Sequence, residues 1–143
     1  MKRTGMLCVA VISVLAAAAG AQQEGKPDPV GEHLFPPELI MQNQQAINLD
    51  ASQKTYIRGE LTRAQTRFTE LQWQLQDAME GLVALLKTEQ PDEQQVLAQL
   101  EKVLSTEREI KRAQLSLMVR LKGKLSSEQQ AQLRRMRRPG RGS

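Results

Sequence analysis

Residues 51–88 read ASQKTYIRGELTRAQTRFTELQWQLQDAMEGLVALLKT. Within them Ile57, Leu61, Ala64, Phe68, Leu71, Leu75, Ala78, Leu82 and Leu85 recur at steps of three and four, the period of an amphipathic helix that packs one seam. Just ahead of the run, Asp50 can accept from exposed backbone N–H groups, and Gln53 can reach back to complete a capping box. The stretch predicts one long helix that starts at Asp50 and stops near Lys87 or Thr88.

Outward from this helix, Thr88-Glu89-Gln90-Pro91-Asp92 is a breaker, because Pro91 lacks a backbone donor and disfavours helix at Gln90. A second helix is expected from about Asp92 to Lys122, with Val96, Leu100, Val103, Ile110, Leu117 and Leu121 on one stripe and Gly123 as a left-handed stop. The pair makes an antiparallel hairpin. Pro36 and Pro37 suit the first turn of a short helix over Glu38 to about Ile47, with Leu39, Ile40 and Ala46 apolar. After the hairpin, Ser126 and Gln129 repeat the capping signature and open a last helix containing Leu133 and Met136. The expected class is all-α, a long hairpin with a short helix at each end. Two such helices leave one side uncovered, which a second copy or a bound client would complete.

Aromatic residues make up only 3% of the 143 residues, and Tyr56, Phe68 and Trp73 are the only ones in the periodic region, which favours helix-on-helix burial over a sandwich or barrel. Residues 1–21 have the parts of a secretory signal: Lys2 and Arg3, an apolar run from Met6 to Ala19, and Ala19-Gly20-Ala21 as an A-x-A site cleaved after Ala21. An uncleaved anchor is the competing reading, but the run falls short of the roughly 20 residues a spanning helix needs. The expected compartment is the periplasm. Cys8, the only cysteine, lies inside this signal, so the mature chain relies on packing rather than disulfides. Residues 22–37 read as a flexible leader, residues 38–138 as the helical domain and residues 139–143 as a disordered basic tail, with fraying expected from Arg134 onward.

Leu49-Asp50-Ala51-Ser52-Gln53 before the hairpin and Leu125-Ser126-Ser127-Glu128-Gln129 after it resemble the paired LTxxQ motifs of the Spy/CpxP family of periplasmic stress chaperones and metal-stress proteins. The resemblance spans roughly Leu39 to Arg138. Leucine and glutamine are kept in both motifs, while Asp50 and Ser126 stand where the family has threonine; both are good helix caps. The resemblance implies a curved helical cradle, usually a dimer, that binds unfolded proteins without ATP. Leu49, Asp50, Gln53, Leu125, Ser126 and Gln129 are expected to hold the ends of the hairpin together.

Charge is unevenly spread. Residues 51–69 and 107–143, brought together at the open end of the hairpin, hold 15 basic and 4 acidic residues, whereas residues 70–106 hold 2 basic and 7 acidic. Arg63 and Arg67 lie one turn apart, and Lys111, Arg112, Arg120, Lys122 and Lys124 are expected near them as a positive surface for acidic clients. A solvated face is the plainer reading of the same charges. Trp73 falls off the seam; it is read as a packing residue at a dimer or helix contact, or as a client-contacting aromatic. The candidate client-binding set is therefore Arg63, Arg67, Trp73, Lys111, Arg112 and Arg120.

The alternative function is heavy-metal sensing or resistance. Ligand supply argues against it: His33 is the only histidine, Met41, Met79, Met118 and Met136 are dispersed and read as core filling, and Glu107 and Glu109 point to different sides of a helix. No nucleophile is paired with a base and no glycine-rich phosphate loop is present, so neither an enzyme nor a cofactor is expected. Export and the lack of stacking aromatics argue against nucleic acid. The expected partners are unfolded envelope proteins, a membrane stress sensor and a second copy of the chain.

Overall fold

The computed structural model describes residues 28–137. The signal segment 1–21 with Cys8, its cleavage after Ala21, the first part of the leader through residue 27 and the tail 138–143 lie outside the described residues. Within them the chain is all-α: a 3-10 turn at Gly31–His33, then α1 at Pro37–Gln42, α2 at Ala51–Leu86, α3 at Glu93–Lys124 and α4 at Ser127–Arg137. At about 1.5 Å per residue the 36-residue α2 spans roughly 54 Å, and α3 returns antiparallel along it.

Local chemistry fixes each boundary. Both halves of the Asp50/Gln53 capping box are made: Gln53 N–H donates to Asp50 Oδ1 at 2.7 Å, and Asp50 N–H donates to Gln53 Oε1 at 3.1 Å. Asp92, directly after Pro91, caps α3 by accepting from Gln95 N–H at 2.9 Å. Gly123 does not stop α3. The helix runs through it to Lys124 and ends because Leu125 adopts an extended backbone and buries its side chain. Ser126 and Gln129 then cap α4, with Gln129 N–H donating to Ser126 Oγ at 3.1 Å.

The first helix is shorter than its sequence suggests. It ends at Gln42, where the Asn43 side chain donates to the Leu39 carbonyl at 2.8 Å and so competes with the next helical turn. An irregular turn follows through Asn48, which takes a left-handed φ of 54°, a conformation asparagine tolerates well. The turn buries Ile47 and Leu49 and leaves Ala46 exposed.

The core gathers at the open end of the hairpin. Phe35, Ile40, Ile47, Leu49, Ile57, Leu117, Leu121, Leu125 and Leu133 form one buried cluster where all four helices converge. Toward the turn, burial thins to Leu71, Ala78 and Val103. There Gly81 makes room for Gln99, whose amide donates to the Ala78 carbonyl at 2.8 Å; a Cβ at Gly81 would lie 2.6 Å from Gln99 Nε2.

Residues 28–37 depart from the expected flexible leader. Asp28 Oδ1 accepts from the backbone N–H groups of Val30 and Gly31, and Leu34 and Phe35 are buried in the base. Lys122 Nζ donates to the His33 carbonyl at 2.7 Å, while Arg137 donates to the carbonyls of Gly31, at 2.8 Å, and Leu34 and stacks on the Phe35 ring. The expected fraying from Arg134 therefore does not occur before Arg137: these contacts hold the last turn of α4.

Candidate functional site

The two sequence motifs meet. Gln53 Nε2 donates to Gln129 Oε1 at 2.8 Å and Gln129 Nε2 donates back to Gln53 Oε1 at 3.0 Å, a reciprocal amide pair joining the start of α2 to the start of α4. Each amide also ties down backbone: Gln53 donates to the Lys124 carbonyl at 2.9 Å and Gln129 to the Ile47 carbonyl at 3.1 Å. Leu49 and Leu125, the leucines of the motifs, are buried beside them. This clasp locks the base of the hairpin.

Two different faces flank the seam between α2 and α3. On one, Glu60, Arg63 and Arg67 of α2 meet Ser116 and Arg120 of α3 around a hollow of about 240 Å³ floored by Ala64, Ala113 and Leu117. The Glu60 side chain is only 9% exposed; Arg63 donates to its Oε1, and Arg120 Nη1 donates to its Oε2 at 3.2 Å. The Arg63 hydrogen bond chiefly, with that of Arg120, holds the Glu60 carboxyl below its ordinary value of 4.5, against burial, which raises it. Glu60 was overlooked in the sequence, though its spacing from Ile57 and Ala64 puts it on the buried stripe.

The opposite face is apolar. Leu61, Phe68, Leu75 and Leu82 on α2, and Leu97, Leu104, Lys111 and Met118 on α3, recur every seven residues and so share a face of each helix. Pro37 and Met41 of α1 lie beside Leu61 and Phe68 at the base. Past α1 the face is open: Leu97 is 54% exposed, Leu86 53%, and Met79, Val83 and Leu104 are also exposed.

Of the candidate set, the structure brings Arg63, Arg67 and Arg120 together and separates the others. Lys111 is nine residues from Arg120, about half a turn round the helix, and it lines a depression with Leu75 and Leu104 on the apolar face. Arg112 projects away and pairs with Glu109 at 3.8 Å on its own helix. Lys122 and Lys124 are engaged at the base, Lys124 over the Tyr56 ring at 4.9 Å. Trp73, two residues beyond buried Leu71, points away from the seam and is 62% exposed.

Among the described residues no three His, Cys, Asp or Glu side chains gather as a metal cluster, and no helix is long and apolar enough to cross a membrane. His33 sits in the 3-10 turn, and Met79 and Met136 are exposed rather than core filling. The His, Asp and Glu side chains of the described residues therefore offer no ready three-ligand site for a resident metal ion.

A family model described as heavy-metal resistance matches residues 5–132. No curated protein and no solved structure matches the chain.

Proposed function

The chain belongs to the heavy-metal resistance family, a member of the Spy/CpxP-like helical group, and from that premise we propose that it is a periplasmic heavy-metal-resistance protein that acts by contacting other proteins. The match over residues 5–132 carries the resistance reading. The dispersed donors of the described residues turn it away from chelation and toward protein contact. Neither catalysis nor a cofactor has a part in this account. Cells lacking the protein should become sensitive to zinc, copper or nickel, and both the wild-type chain and His33→Ala should restore tolerance. Unchanged sensitivity on deletion would remove the resistance role, and failure of His33→Ala would return the function to metal binding.

A second reading is an ATP-independent chaperone for unfolded envelope proteins. Exposed Trp73, Leu86, Leu97 and Leu104 favour it, since apolar side chains standing free beside charge suit non-native chains. Arg63, Arg67 and Arg120 would engage acidic segments on one face, Lys111 on the other, and Trp73 and Arg112 on the outer side. A second copy completing a cradle, or a membrane stress sensor, would use the same surfaces. Light scattering of a reduced model client, with chelator and without ATP, tests the reading: suppression at near-stoichiometric ratio supports it, and unchanged aggregation favours a dedicated partner.

A further inference from the structure

Arg63, Arg67 and Arg120 crowd one hollow, and within it Glu60 answers two of them. Counting Glu70, which pairs with Arg67 at 3.3 Å, the cluster keeps one positive charge in excess. Each guanidinium has five N–H donors, most of them left over after these contacts. Small side chains create the space: Ala64 and Ala113 floor it, with Ser116 at its rim.

We propose that this hollow is a binding site for a carboxylate carried on a short apolar stem. Planar guanidinium groups match a carboxylate in a two-point geometry. The floor of Ala64, Ala113 and Leu117 offers nothing to a fully hydrated inorganic oxyanion, which would lose water there without replacement, whereas it suits methylene groups. The volume of about 240 Å³ takes a group of several heavy atoms rather than a monatomic ion. The source is a free short-chain carboxylate or a glutamate side chain on a protein surface. The inference rests on these residues alone and stands whether or not the chain acts in metal resistance.

The test follows backbone amide NMR shifts of the full chain on titration with glutarate, with sulfate at matched ionic strength, and with a short peptide carrying one central glutamate or glutamine. The expected result is a saturable response to glutarate centred on Ala113, Ser116 and Leu117, weakened about tenfold by Arg67→Gln, as loss of one charged hydrogen bond implies. Ser116→Leu, which fills the hollow from an exposed position, should abolish it. A response to the glutamate peptide alone, removed by the same two variants, assigns the carboxylate to a protein and still supports the site. Equal shifts with sulfate, indifference to Ser116→Leu, or no saturable response to glutarate or peptide would overturn it. Arg67 and Ser116 are both exposed, so unfolding midpoints of the two variants should match the wild type.

Discussion

The base and the tip of the hairpin are built from the same two helices and differ in what holds them. At the base, nine buried apolar residues from four helices and the segments that join them close around one another, and two capping boxes are tied by the Gln53–Gln129 amide pair. At the tip, only Leu71, Ala78 and Val103 are buried, while Leu86 and Leu97 stand about half exposed. Stability is therefore concentrated at the base. The tip leaves its apolar surface uncovered.

The largest effect that separates the two regions should come from Leu125→Ala, which opens a cavity in the base and should cost about 2–5 kcal/mol by urea unfolding. A loss below about 1 kcal/mol would remove the distinction. Next, Gln129→Ala leaves the Ile47 carbonyl and the Gln53 amide short of partners and should cost about 1–3 kcal/mol. With Gln53→Ala it should show coupling in a double-mutant cycle, and strict additivity would mean the amide pair does not act as a unit.

The base should also respond to acid through Glu60. Its folded carboxyl is held below 4.5, first by Arg63 and then by Arg120, so it releases its proton more readily folded than unfolded. The stabilisation is complete above the unfolded value and is lost as pH falls through the lower folded value. Glu60→Gln should flatten that acid limb of the stability profile; an unchanged limb would assign it to other carboxyls. The smallest effect belongs to the tip: Leu97→Gln should shift stability by no more than about 0.5 kcal/mol. A loss matching that of Leu125→Ala would show that the tip is packed as tightly as the base.

This contrast was partly legible in the sequence. The capping boxes at Asp50 and Ser126 and the seam from Ile57 to Leu85 need only spacing, and they locate the start of α2, the start of α4 and the hairpin. Gly123 misled because glycine permits a left-handed stop without imposing one, and the buried Leu125 set the end instead. The order at residues 28–35 depends on Lys122 and Arg137, about ninety to a hundred residues away in the chain, which no local pattern reports. The basic cluster was half legible. Arg63 and Arg67 lie on one face by spacing, but Lys111 and Arg120 were grouped by proximity in sequence although nine residues place them on opposite sides of α3.

We propose that the clasped base presents an open tip through which the chain acts on other proteins under metal stress. Complementation of metal tolerance by the variant carrying Trp73→Gln, Leu86→Gln and Leu97→Gln together, with its urea unfolding measured alongside, puts this to the test. Tolerance should be lost while unfolding stays close to wild type; full tolerance from this variant would mean that the open tip is not the acting surface.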